Sequence, residues 1–148
     1  MLSTGSGRNK VRTRHGTVAS VCVLSALLVA GCHPDPSTPR GTAESFLDAH
    51  YVRIDLAAAL AFTSGLAHHK VEEEIGLTRG QLIDEATRKP IVHYRLLEER
   101  PDGEHAVSYL YRGSISVADA DRFERRWLVT VRREDDGWRV TNWQELEG

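Results

Sequence analysis

The sequence predicts an α+β fold, with helices packed on one face of a four-stranded antiparallel meander. Three observations predict it. Apolar residues recur at helical spacing before Pro90 and at a period of two after it. Turn-forming residues then divide the second half into four alternating runs. Helices first and strands afterwards are the order of an α+β domain rather than an alternating α/β one.

Thr42 is positioned as an N-cap, with Glu44 in the first turn favouring the helix dipole. Phe46, Leu47, His50, Tyr51 and Ile54 then form one apolar helical face. Asp55 reads as a fresh N-cap for Leu56 to Phe62, with a bend near Arg53 to Asp55 and Gly65 as the stop. In Leu66 to Ile75, Val71 and Ile75 have helical spacing, and Glu72, Glu73 and Glu74 read as the solvated side. Thr78 with Gln81 matches a capping box, and Leu77 with Leu82 a hydrophobic staple, for a short helix from Arg79 to about Arg88 that Pro90 ends.

Val92, Tyr94 and Leu96 alternate along a first strand, and Pro101-Asp102-Gly103 is a turn. Val107, Tyr109, Tyr111, Gly113, Ile115 and Val117 share one face of a second strand, and Ala118 to Asp121 turns the chain. Phe123, Trp127, Val129 and Val131 share one face of a third. Asp135-Asp136-Gly137 closes a hairpin. In the last strand, Trp138 and Val140 are expected to point one way and Trp143 the other.

Upstream of the domain the chain has a different character. Residues 1–16 carry Arg8, Lys10, Arg12 and Arg14 and no acid, and Thr17 to Gly31 is small and apolar. That run of about 15 residues is short of the roughly 20 a membrane-spanning helix needs. It ends in Val29-Ala30-Gly31-Cys32, and His33 to Gly41 follows with three prolines. A basic start, a short apolar run and small residues before the break form a secretory pattern. The division expected is a signal peptide over 1–31, a Pro-rich tether over 32–41 and one α+β domain over 42–148.

Composition removes several function classes. The whole chain has 19 basic and 21 acidic residues; without the four leader cations it has 15 against 21, a net charge of −6. Such a domain is a poor polyanion binder, so no nucleic acid is expected as partner. The two cysteines, Cys22 and Cys32, fall in the leader and at its end, leaving no thiolate metal site. No cofactor motif is present: a Gly-rich phosphate loop, a Gly-x-Ser-x-Gly elbow and His-Glu-x-x-His are all missing.

Val29-Ala30-Gly31-Cys32 resembles the lipobox of bacterial lipoproteins. That resemblance implies cleavage before Cys32 and attachment there of a diacylglycerol thioether and an N-acyl chain such as palmitate. The implied location is the bacterial cell envelope, and, with His33 after the cysteine, the periplasmic side of the outer membrane in a Gram-negative host. Ala43 to Tyr51, Asp55 to Leu60 and the terminal Gly137-Trp-Arg-Val-Thr-Asn-Trp143 resemble the nuclear-transport-factor-2-like superfamily, and its small bacterial lipoproteins in particular. The resemblance implies a strongly curved sheet wrapped around the helices as an open cone, with dimers through the sheet. Its members include isomerases, dehydratases, cyclases and binding modules, so the fold alone selects no activity.

His50 and Tyr51 are on the inward face of the first helix and, with Tyr94, Tyr109 and Tyr111, are the candidate ligand-binding residues. In catalytic relatives a His or Asp lining the cone acts as base beside a Tyr. On that analogy His50, Tyr109 and Tyr111 are the catalytic candidates, with Asp48 or His93 assisting. His68 and His69 with Glu72 and Glu73 have the spacing of ligands on a helix turn, but a third ligand is missing, and no metal is expected. Arg122, Arg126 and Arg132 lie opposite Trp127's face and are expected to pair with Glu98, Glu104 or Glu124, or to meet an acidic partner or an anionic ligand. The inventory favours a lipid-anchored, non-catalytic module binding a small apolar ligand or an envelope protein. The alternatives are an isomerase-, dehydratase- or cyclase-type enzyme with His50 as base, and an accessory scaffold of an envelope complex.

Overall fold

Four runs of alternating residues pair as one antiparallel sheet, and the helical half of the chain packs on it. The computed structural model describes residues 34–80, 89–118 and 122–147. In chain order these hold α1 (Pro39–Leu47), a π-helical turn (Asp48–Val52), α2 (Leu56–Leu60) and α3 (Gly65–Thr78). The strands are β1 (Ile91–Pro101), β2 (Ala106–Ser116), β3 (Phe123–Glu134) and β4 (Gly137–Glu147), hydrogen-bonded in the order β1-β2-β3-β4. This is the expected α+β architecture.

The helices begin and end differently from the sequence reading. Thr38, not Thr42, caps α1: its Oγ1 accepts from the Gly41 N–H at 3.0 Å. Pro39 takes the first helical position, where its missing N–H has no partner to lose. The last three residues assigned to the tether are therefore helical. Thr42 is buried and donates its hydroxyl to the carbonyls of Pro36 and Thr38, both at 2.9 Å.

After Leu47 the helix widens by one residue into the π turn, closed by Arg53 N–H donating to the Asp48 carbonyl at 2.8 Å. Ile54 takes φ +56°, a strained conformation for a β-branched residue. It breaks the chain at the predicted bend. Asp55 caps α2 as expected, accepting from Ala58 N–H at 2.9 Å.

Gly65 opens α3 rather than stopping α2. The break before it is made by tertiary pairing: Val140 N–H donates to Phe62 O, and Ser64 N–H to Val140 O. These bonds cover part of the β4 edge. Thr78 is the last helical residue, not an N-cap, and its hydroxyl donates back to the Glu74 carbonyl at 2.8 Å. Leu77 is 79 % exposed. Residues 81–88, the rest of the predicted helix, lie outside the described residues, as do 119–121 of the predicted turn and the whole leader.

Two bulges adjust the strands. One lies between Leu96 and Glu98 on β1. On β4, Thr130 pairs with Asn142 and Val131 with Val140, so Thr141 is an extra residue. An extra residue reverses the in–out alternation. Val140 and Trp143 therefore both enter the core, where strict alternation put them on opposite faces. Phe123 is 42 % exposed instead of buried, with the Arg125 guanidinium 5.4 Å from its ring centre. Gly137 turns the last hairpin at φ +130°.

The core lies between the sheet's inner face and the helices. Phe46 and Leu47 of α1 and Val71 of α3 meet Tyr109, Tyr111, Trp127, Val129, Val131 and Val140, all fully buried. Trp127 packs over Gly113, where any Cβ would fall inside the indole ring's envelope.

Candidate functional site

The π turn decides where the site forms. By inserting a residue it directs His50 toward α3, and π turns of this kind are frequent at functional positions. His50 Nε2 lies 2.6 Å from Glu74 Oε2. Its ring packs against Phe46, Tyr51 and Trp143, with centroids 5.3, 4.3 and 5.3 Å away. A carboxylate accepts, so Nε2–H is the donor of this contact, while Nδ1 is buried without a hydrogen-bond partner.

Beside this pair is a cavity of about 390 Å³. Among the described residues its walls are largely apolar: Ile54, Leu56, Leu77, Pro90, Val92 and Ile115, with His50, Glu74, Tyr51 and Thr78 bearing polar groups. That composition suits an apolar ligand oriented by one or two polar contacts.

Tyr51 lines the same cavity, but its hydroxyl is engaged. It donates to Glu145 Oε1 at 2.8 Å and accepts from Trp143 Nε1 at 3.0 Å, while its ring stacks on Trp127 at 4.5 Å. Burial, reinforced by the Glu145 carboxylate, pushes its phenol far above the ordinary tyrosine range. It is held neutral and is a poor proton donor.

The other candidates do not join the site. Tyr94 donates to Asp48 Oδ1 at 2.7 Å, and burial followed by that carboxylate raises its phenol. Asp48 is thereby a partner of Tyr94, not of His50. Tyr109 and Tyr111 are fully buried in the core with unpartnered hydroxyls. Burial pushes Tyr109 up to about 12 and Tyr111 higher. Neither lines the cavity, so neither can assist His50 there. His93 is exposed and lines a separate depression with Arg95 and Arg112.

His68 and His69 stand 3.7 Å from Glu72 and Glu73 in ordinary i, i+4 pairs. Among the described residues no group of three His, Cys, Asp or Glu is placed to hold a metal. The arginine pairs differ from those expected: Glu98 pairs with Arg100 at 2.6 Å, and Glu124 lies 3.9 Å from Arg112. Arg126 donates instead to the Glu147 carbonyl.

Sequence reasoning missed Glu74, which it placed on the solvated side. The signal was present, since Val71, Glu74, Ile75 and Thr78 share the i, i+3, i+4, i+7 spacing of one face.

No protein-family model and no curated protein matches this sequence. Solved structures do match. A putative calcium/calmodulin-dependent protein kinase type II association domain from Thiobacillus denitrificans aligns with a TM-score of 0.59 at 15% identity, over 76% of this chain and 96% of its own. A ketosteroid isomerase-like protein from Erwinia carotovora atroseptica gives 0.53 at 12%, over 74% and 93%. An NTF-2 like protein of unknown function from Shewanella oneidensis gives 0.52 at 13%, over 70% and 92%. At these identities the likeness shows the fold: this chain has the nuclear-transport-factor-2-like architecture.

Proposed function

We propose that this protein is a lipid-anchored envelope protein whose nuclear-transport-factor-2-like domain binds a small apolar ligand without transforming it. The observation that carries the reading is the 390 Å³ cavity, apolar among the described residues but for the His50–Glu74 pair, Tyr51 and Thr78. The anchor is Cys32, acylated after cleavage of the leader at Val29-Ala30-Gly31. Among the described residues no helix is long and apolar enough to cross a membrane.

Catalysis by His50 is the second reading, favoured by its 2.6 Å contact with Glu74 at the cavity wall. The geometry weakens it. Nε2 is occupied by the carboxylate, and Nδ1 has no exposed surface from which to take a substrate proton. Turnover abolished by His50→Ala would establish catalysis and end the non-catalytic reading.

Native mass spectrometry of residues 34–148 tests the binding function directly. These residues include the Asp35 and Thr38 turn that caps α1. The expected result is a reproducible extra mass that Ile115→Trp, by filling the cavity, removes. A domain purified empty from its own host, and unshifted by fatty acid or isoprenoid probes, overturns the reading. The intact mass of the membrane-extracted protein tests the anchor: acylation adds a diacylglyceryl and an acyl group to a chain beginning at Cys32.

A further inference from the structure

The face of the sheet turned away from the helices carries an arrangement that the cavity does not use. The register puts Arg95 opposite Arg112, and Arg112 opposite Arg126, on β1, β2 and β3. Three guanidinium groups thus share one rung, roughly 10 Å across two interstrand spacings. Like charges directly opposite one another destabilise a sheet. The fold answers this charge only in part. Arg112 has Glu124 at 3.9 Å, and Arg126 has the neutral Glu147 carbonyl at 2.7 and 3.1 Å. Next to the rung, Leu110, Leu128 and Leu146 floor a shallow depression of about 180 Å³, rimmed by Ser108 and by Glu98, whose carboxylate Arg100 neutralises at 2.6 Å. The helical side carries acid instead, with Glu72 and Glu73 exposed on α3.

The charge of this face, with the anchor expected at Cys32, points to the occupant. Pro34 lines a cavity at the β1 edge together with Arg95 and Leu96, where Glu44 is paired with Arg40 and Asp48 accepts from Tyr94. Cys32 precedes Pro34 by two residues in the sequence. A lipid anchor at Cys32 would keep the domain beside the bilayer surface. The domain can then roll toward its acidic helices or toward its arginine face. Anionic headgroups repel the first and attract the second, and the guanidinium fork matches phosphate geometry. A second copy whose two-fold axis passes at the rung would bring another arginine rung against the first, so charge opposes that arrangement.

We propose that the Arg95–Arg112–Arg126 rung and its leucine floor dock on anionic phospholipid headgroups, laying the domain sheet-down on the membrane. The proposal rests on the lipid-anchored reading, and its test supplies the anchor artificially so that the two can fail separately.

The compact unit Cys32–Gly148 has Cys32 as its one thiol. That thiol is coupled to a maleimide lipid in vesicles of phosphatidylcholine alone, or with about 30 mol % phosphatidylglycerol to supply the negative surface potential. Phenylglyoxal labelling with mass spectrometry then reads each arginine. The expected result is labelling of Arg95, Arg112 and Arg126 about fivefold slower on the anionic vesicles, the effect of roughly one cation's attraction to such a surface. Arg53 and Arg79, exposed on the helical half, should not change. Salt at about 1 M, which shortens screening to ~3 Å, should erase the difference. Arg112→Gln with Arg126→Gln should remove the protection of Arg95. Equal labelling on both vesicles overturns the proposal. So does equal labelling on vesicles with protection in cells, which would assign the face to an acidic protein.

Discussion

Gly113 shows what one residue decides in this fold. The Trp127 ring occupies the space where a side chain at 113 would stand, and Tyr51 stacks on the same indole. Gly113→Ala therefore forces Trp127 out of a packed position. Overpacking of this kind costs about 2 kcal/mol, which urea unfolding would register as a lower midpoint at unchanged slope. The sequence marks Gly113 as unusual within an alternating strand but not what approaches it. The same limit applied to the site. His50 was legible because it falls on the inward face of a helical pattern. Glu74 was read outward because it follows Glu72 and Glu73, although only Glu74 shares a face with the buried Val71.

At the scale of elements, types were legible and ends were not. Alternation located all four strands, because one face is buried and the other wet. Helix ends depend on a few hydrogen bonds that composition only loosely signals. Thr38 and Thr42 are both plausible caps by residue type; the turn from Asp35 selects Thr38, whose hydroxyl also donates to the Asp35 carbonyl at 3.0 Å. Thr38→Ala should cost about 1 kcal/mol, the usual value of a cap, measurable as a lowered thermal midpoint. By sequence, the break between α2 and α3 looks like a local effect of Gly65. It is set by pairing with β4, far away in sequence, which no local pattern encodes.

On the scale of the whole molecule, four tyrosines spread over the π turn, β1 and β2 are all held neutral by burial. An unfolded tyrosine ionises near 10, and the folded values are higher. The unfolded state thus loses protons first, so the stabilisation is complete below pH 10 and is lost as pH rises beyond it. For Tyr109 the loss runs from pH 10 through about 12. Denaturant titrations at rising pH should show cooperative weakening above pH 10. Tyr109→Phe should flatten that slope while leaving stability at pH 7 unchanged or slightly higher, since its hydroxyl has no partner to lose. The architecture was legible because it rests on the order and period of its segments. The cavity was not, because its walls come from the π turn, α2, α3, β1 and β2, and their convergence is a property of packing.

The extra residue at Thr141 bears on how this chain can change over generations. Removing it restores strict alternation, and everything beyond then swaps sides: Trp143 turns to water, and Glu145 leaves the Tyr51 hydroxyl. A single-codon deletion in this strand is therefore far more damaging than most substitutions there. Length variation among descendants should gather in the hairpin at Asp135 and Asp136, where the chain is exposed and no side chain changes face.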